Sequence, residues 1–142
     1  MTWPIQDHAN AVLALLRAAP GSPALTVYDG VVPKSPDTQY VVVYAYVGTP
    51  DGETAPDKVP LTFNSDVIDL RIYCHCVGGD ASAARAVSGR VRAALLNVTP
   101  TIVGRTCWPI RWREGQPPQR NEETLTVVMD QVDVYGLVTV PG

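Results

Sequence analysis

The stretch that decides the fold reads Val67-Ile68-Asp69-Leu70-Arg71-Ile72-Tyr73-Cys74-His75-Cys76. Every second side chain from Ile68 to Cys76 is apolar, and polar or aromatic residues stand between them. Because successive side chains of a strand point to opposite faces, this alternation predicts a β-strand with one face in a core.

A turn and a helix are expected directly after this strand. Gly78-Gly79 interrupts the alternation, since glycine adopts positive φ without steric cost, and Asp80 has the acceptor that a helix N-cap needs. The apolar side chains that follow share one narrow stripe, which consists of Ala84, Val87, Val91, Ala94 and Leu95. Small residues on such a stripe predict a helix that packs closely on one face of a sheet.

The rest of the chain predicts one more helix and several strands. In order, we expect a helix at 6–19 and strands at 25–28, 39–47, 101–103, 107–113 and 124–138. The strand 39–47 is apolar on both faces, which predicts a central position covered on both sides. A change of phase in the apolar positions near Asp130-Gln131 predicts a β-bulge.

These elements predict an α+β fold, a mostly antiparallel or mixed β-sheet with two helices packed on one face. Strands that follow one another without a helix between them pair antiparallel, and two helices are too few for a doubly wound sheet. At 142 residues we expect a single domain, 1–142. Two long polar loops are predicted, at 48–65 and 114–123.

Composition excludes several functional classes. The net charge of −3, with eleven scattered Lys and Arg residues, gives no basis for specific nucleic-acid binding. The N-terminus lacks the basic and apolar regions of a signal peptide, and no apolar run approaches the ~20 residues of a membrane span. The three cysteines are odd in number, and Cys74 and Cys76 are too far apart on one strand face for a disulfide. Free thiols in a reducing compartment are therefore expected.

No residue pattern predicts catalysis, a cofactor or a metal. On a strand His75 points away from Cys74 and Cys76, so the three cannot close on one ion. Cys107 could be a nucleophile, but nothing in the sequence positions a base for it. We expect His8 to be a surface or half-buried histidine. Gly78-Gly79 at a helix start could bind an anion, although a simple turn is favoured because Asp80 already supplies the negative charge.

Aromatic residues form the remaining candidate surface. Such rings could stack single-stranded nucleic acid, but sheet packing or subunit contact fits an acidic chain better. The aromatic residues concerned are Tyr40, Tyr44, Tyr46, Tyr73, Trp108 and Trp112.

The order of several segments resembles a known family. An opening helix ends in Leu15 to Ala19, and a short strand reads Val27-Tyr28-Asp29-Gly30-Val31-Val32-Pro33. Pro36-Asp37-Thr38-Gln39-Tyr40-Val41-Val42-Val43 follows, and later come the strand Asp69 to Cys74, the Gly-Gly turn and an Ala-rich helix that ends at Val91 to Leu96. Over nearly the whole chain this arrangement resembles the tail terminator (tail completion) proteins of long-tailed phages, especially those of actinobacterial hosts.

The resemblance implies a structural virion protein and not an enzyme. Members of the family form a ring, typically six-fold, at the head-proximal end of the tail tube, where it ends tube polymerisation and joins the tail to the head. The implied partners are further copies of this chain, which would form a hexameric ring, together with the major tail tube protein and a head–tail connector or stopper protein. Double-stranded DNA passes through the lumen without specific binding, and no membrane is involved. The implied location is the virion neck, after assembly in the host cytoplasm.

Charged residues of the two predicted loops are the candidate contacts with a neighbouring subunit or with the tube. They are Asp51, Glu53, Asp57, Lys58, Glu114, Arg120 and Glu122. Other functions stay open: another neck protein such as a head-closure or connector component, a small thiol-containing enzyme, or a monomeric adaptor.

Overall fold

A computed structural model of the chain describes residues 4–47, 67–121 and 128–142. The helices are α1 (Pro4–Arg17) and α2 (Ala81–Leu95). The strands are β1 (Val27–Asp29), β2 (Tyr40–Val47), β3 (Ile68–Gly78), β4 (Arg105–Cys107), β5 (Arg111–Gly115), β6 (Gln119–Asn121) and β7 (Val128–Pro141). Two helices and one mixed sheet confirm the predicted α+β class.

The strands form one sheet in the order β1-β2-β3-β7, and β4, β5 and β6 follow one another along the far edge of β7. The pair of β1 and β2 is parallel, whereas the other pairs are antiparallel. β7 is the longest strand, with 14 residues, and it therefore offers enough edge for three short partners in line.

The core lies between the two helices and one face of this sheet. Alternate side chains of β3 from Ile68 to Cys76 are buried, as their spacing predicts. The predicted stripe of α2 is buried as well, and Val12, Leu13 and Leu16 of α1 join the same cluster. Both helices therefore pack on one face of the sheet, as expected.

The junction between β3 and α2 has the predicted cap but a different role for its glycines. The Asp80 carboxylate accepts a hydrogen bond of 2.7 Å from the Ala83 backbone N–H, as an N-cap does. Positive φ among the described glycines occurs at Gly21, Gly30 and Gly104, and not at Gly78 or Gly79. Gly78 is required for another reason: an added Cβ would lie 2.6 Å from the backbone nitrogen of Ala84.

We expect Gly78→Ala to lower the free energy of unfolding by about 1–3 kcal/mol, because the new methyl group overlaps the first turn of α2. Gly79→Ala is the matched control, since an added Cβ there meets nothing within 4 Å. Its expected change lies within about 0.5 kcal/mol. Urea unfolding of both variants measures the difference, and equal losses would contradict the steric role of Gly78.

The far edge of the sheet differs from the sequence prediction. Residues 101–103 are not a strand, and the predicted strand 107–113 is divided between β4 and β5. The prediction of a polar loop at 114–123 is also wrong within the described residues 114–121. Glu114 and Gly115 belong to β5, and Gln119–Asn121 forms β6. These segments are held by backbone pairing with β7, which places little demand on side-chain type.

The predicted bulge near Asp130-Gln131 is wrong. β3 and β7 pair without interruption from Gly78 opposite Met129 to Ile68 opposite Thr139. The sequence changes phase because β7 is apolar on both faces: Val132 and Val134 face away from the helices, and Tyr135 and Leu137 face them. The register irregularity lies instead in β5, between Trp112 and Glu114. The predicted start of this strand, 124–127, lies outside the described residues.

β2 is central, but only its first half is covered on both faces. Residues 40–43 are all buried, whereas Tyr44 and Tyr46 are 44% and 47% exposed. The described helices lie on the opposite face, and none of the described residues covers these two rings. The prediction of full coverage is therefore wrong for the second half of the strand.

Candidate functional site

The helix-free side of the sheet carries a group of rings that we call the aromatic face: Tyr44 and Tyr46 of β2 with Tyr73 and His75 of β3. Tyr46 stacks on Tyr73, with ring centroids 5.6 Å apart and planes inclined by 20°. Tyr44 meets His75 edge to face, with centroids 5.3 Å apart. The alternation of β2 and β3 brings these rings together, because Tyr44 lies directly opposite Tyr73 in the register.

The rings of the aromatic face line a shallow cleft of about 320 Å³. The hydroxyl groups of Tyr46 and Tyr73 share a hydrogen bond, with their oxygens 3.3 Å apart. This hydrogen bond raises the pKa of Tyr73, and the negative charge of Glu114 adds to the rise. The cleft therefore presents aromatic surface together with the two hydrogen-bonded hydroxyl groups.

Charged side chains beside the aromatic face compensate one another. Asp69 lies 3.5 Å from a guanidinium nitrogen of Arg71 and 3.9 Å from one of Arg113. His75 Nδ1 lies 3.0 Å from Asp130 Oδ2. Both aspartates keep one buried oxygen that accepts no hydrogen bond from the described residues. These side chains therefore give the face no excess of positive charge that would attract nucleic acid, and the face has acceptors that a covering partner could satisfy.

The predicted contact residues are only partly placed. Glu114 in β5 is near enough to Tyr73 to influence its pKa, and Arg120 is exposed in β6. The two strands follow one another along β7, so these two residues share one edge of the sheet. The other candidates, Asp51, Glu53, Asp57, Lys58 and Glu122, lie outside the described residues.

The cysteines have the environment of packing residues. Cys74 and Cys76 are buried in the core, and burial raises the pKa of both thiols. Cys107 is partly buried, and burial raises the pKa of its thiol too, although Arg105 opposes the rise. All three are free thiols. A thiolate is the nucleophile in cysteine catalysis, so raised pKa values disfavour the thiol-enzyme alternative.

His8 is fully buried, which corrects the expected surface or half-buried position. Its Nε2 lies 2.6 Å from the Thr139 hydroxyl, and Arg105 donates to the same hydroxyl at 3.1 Å. Arg105 also donates to the Thr139 carbonyl at 3.0 Å. This cluster ties α1 to β4 and β7, and its partners are more than thirty residues apart in sequence, so no local pattern signals it.

A second polar cluster lies between α2 and the sheet. The Ser88 hydroxyl donates to the buried Asp133 carboxylate at 2.5 Å, and the Gln131 side-chain amide donates to Ser88 at 3.1 Å. The carboxylate is thereby satisfied within the helix-covered face. The cluster contains no nucleophile–base pair, because serine donates to an aspartate with no histidine between them.

Metal removal is expected to leave the melting temperature unchanged. In the described parts of the chain, no three His, Cys, Asp or Glu side chains are grouped so that they could hold an ion. The melting temperature is measured with and without excess EDTA. As a control, the zinc content of urea-denatured protein is measured to detect metal that EDTA did not remove. A fall of many degrees, or one equivalent of zinc, would contradict the prediction.

None of the helices within 4–47, 67–121 and 128–142 combines the length and the apolar character that a membrane crossing requires.

Comparisons with known proteins give one kind of match. No protein-family description and no curated protein sequence matches this chain. Five chains of solved structures match. One of them belongs to the structure described as "Virion of native gene transfer agent (GTA) particle", with 17% sequence identity and a TM-score of 0.68 over 98% of this chain and 100% of that chain. At this identity the comparison shows that the two chains share a fold over their whole aligned length.

Proposed function

We propose that this chain is a structural protein of a phage-like virion, and specifically a tail terminator. In this proposal a ring of copies ends polymerisation of the tail tube and joins the tail to the head connector. The observation that carries the proposal is the match in fold, at a TM-score of 0.68 across 98% of the chain, with a chain from a gene transfer agent virion. The resemblance of its sequence segments to tail terminators supports the more specific role.

The aromatic face supports an assembly function. Tyr44 and Tyr46 leave nearly half of their surface exposed on a sheet face that no described helix covers. Exposed aromatic surface of this kind is typical of protein interfaces, where Tyr supplies contact area at a low cost in conformational entropy. The unsatisfied oxygens of Asp69 and Asp130 beside it favour a partner that donates hydrogen bonds.

The proposed partners are further copies of the chain, the major tail tube protein and a connector or stopper protein, and DNA passes through the ring without specific binding. Glu114 and Arg120 remain proposed contacts on the sheet edge. Asp51, Glu53, Asp57 and Lys58 in the predicted loop 48–65, and Glu122 in the predicted loop 114–123, remain proposed contacts as well. An acidic chain with paired surface charges is compatible with DNA passage, because it would not hold phosphates in the lumen.

Particles in which this chain carries a label test the proposed location. We expect cryo-electron microscopy to show the label at the junction of head and tail. Loss of the gene should give tails of uncontrolled length that lack heads. A label on the capsid would overturn the proposal, and headless tails of normal length would indicate another neck component instead.

Deletion of 49–60 tests the role of the first predicted loop. Loop closure entropy grows only with the logarithm of length, so a short glycine-containing connection should leave the fold intact. We expect a normal melting temperature but no capping of tails, which negative-stain microscopy of complemented lysates would detect. Normal-length tails joined to heads would contradict a role of Asp51, Glu53, Asp57 and Lys58 in binding.

A further inference from the structure

The two edges of the sheet differ in the side chains that they expose. β1 is the last described strand at one end, and β4, β5 and β6 form the other. On β1, the Thr26 carbonyl accepts from Val41 N–H and Gly30 N–H donates to the Val43 carbonyl. In a parallel pair the backbone groups of alternate residues turn to the partner strand, so those of Val27 and Asp29 turn outward. No strand within 4–47, 67–121 and 128–142 pairs with this side of β1, and such an edge can accept another chain.

The β5 end carries a patch that we call the basic edge, formed by Trp108, Arg111, Trp112 and Arg113. All four side chains are exposed, and the two tryptophans are 50% and 45% exposed. The turn after α2 contacts the start of this segment, because Asn97 N–H donates to the Ile110 carbonyl. Between 105 and 121 the sequence has four arginines and one glutamate, so positive charge remains in excess here even though Asp69 lies 3.9 Å from a guanidinium nitrogen of Arg113.

The β1 end carries the opposite patch, the acidic edge, formed by Asp29, Val31, Val32 and Asp37. All four residues are exposed, and Val31 is 75% exposed. The two aspartates outnumber the single basic residue of this segment, Lys34. Five of the nine large hydrophobic side chains that are exposed in the described residues lie at the two ends of the sheet, at 31, 32, 103, 108 and 112.

We infer that the basic edge of one copy binds the acidic edge of the next copy. This inference deepens the proposed ring, because it names the two surfaces that would close it. The edges lie at opposite ends of one sheet and have complementary charge, so their contact is head-to-tail, the arrangement that generates a ring. The tryptophans pack on the exposed valines, and guanidinium N–H groups donate to the aspartates.

The contact is made by side chains and not by continuous strand pairing. β5 is irregular between Trp112 and Glu114, and it is rich in charge, two features that discourage indiscriminate strand addition at an edge. Arg111 already donates one hydrogen bond to the Asn97 side chain. A guanidinium has five N–H donors, so Arg111 keeps others for a neighbouring copy.

Two double variants and their mixture test this inference. The first, Trp108→Ser with Arg111→Glu, alters the basic edge, and the second, Asp29→Arg with Val31→Asp, alters the acidic edge. Arg85→Glu is the matched control, because Arg85 is exposed on α2, a helix that contributes no residue to either edge. The readout is sedimentation velocity of the full-length chain, from ten micromolar to one millimolar in low salt.

We expect the unaltered chain and Arg85→Glu to associate, whereas each edge variant alone should remain monomeric. An equimolar mixture of the two edge variants should form a one-to-one dimer, because it contains one intact pair of edges. The mixed dimer also demonstrates that both variants fold. Monomers of the unaltered chain at one millimolar, association of either edge variant alone, or a mixture that stays monomeric would each overturn the inference. If labelled edge variants still assembled at the virion neck, the proposed function would be supported and the edge contact would be contradicted.

Discussion

Ile72→Asp is expected to abolish cooperative folding. Ile72 is fully buried on β3, where it lies between Ala45 of β2 and Tyr135 of β7. The substitution removes apolar packing worth about 2–5 kcal/mol and adds a buried carboxylate with no cationic partner, at a further cost of several kcal/mol. Together these losses match the whole stability of a typical domain, about 5–15 kcal/mol. Loss of the near-ultraviolet circular dichroism signal and of the urea transition would report the effect.

Tyr46→Asp is the control for this prediction. Tyr46 lies on the neighbouring strand but points to the helix-free side, so a carboxylate there remains in water. The variant loses the stack with Tyr73, worth about 0.5–1.5 kcal/mol, and should still unfold cooperatively. A cooperative transition for Ile72→Asp, with none for Tyr46→Asp, would mean that the two faces of the sheet are assigned the wrong way round.

The contrast between these two positions explains which parts of the fold the sequence could predict. From Ile68 to Cys76 each residue has one environment, helix-covered or helix-free, so the alternation alone identifies the buried face. The stripe of α2 is equally clear, because the same sheet buries every one of its members. Periodicity predicts structure well where one face of an element is buried along its whole length.

The same reasoning fails on β7 and β2, because their two faces do not differ consistently. Val134 on the helix-free face and Tyr135 on the helix-covered face are both buried, so the sequence pattern suggests a slip that the backbone does not contain. In β2 the aromatic side chains of the second half look like core residues, yet Tyr44 and Tyr46 are exposed. Residue type does not distinguish a ring that packs in a core from one that is left for a partner.

The far edge and the polar clusters were beyond local sequence reasoning. β4 and β6 have three residues each, and backbone hydrogen bonds to β7 define them. Thr139 is the partner of His8 across 131 positions, and Asp133 is the partner of Ser88 across 45. Only the tertiary fold brings such groups together. Of the predicted contact residues, Glu114 and Arg120 share an edge because β5 and β6 pair with the same strand.

Raising the pH above about 8.5 is expected to destabilise this protein strongly. Burial raises the pKa of Cys74 and of Cys76, and the negative charge of Asp133 raises both pKa values further. In the unfolded chain the pKa of a cysteine thiol is about 8.5. Above that pH the unfolded chain loses protons that the native state retains, so the free energy of unfolding falls. Each thiol contributes about 1.4 kcal/mol per pH unit, or roughly 4 kcal/mol for both thiols between pH 8 and pH 10.

The variants that test this effect separate the pKa contribution from simple packing. Cys74→Ala with Cys76→Ala should be less stable at pH 7, because it leaves cavities in the core, but its stability should depend less on pH between 8 and 10. Cys107→Ser should keep the steep dependence, because Cys107 is partly exposed and outside the helix-covered core. Urea unfolding under reducing conditions at several pH values gives the slopes. If the free energy of unfolding fell equally steeply with pH in the double variant and the unaltered chain, the native state would have to contain ionised thiols. The tightly packed core around Cys74 and Cys76 could not accommodate them.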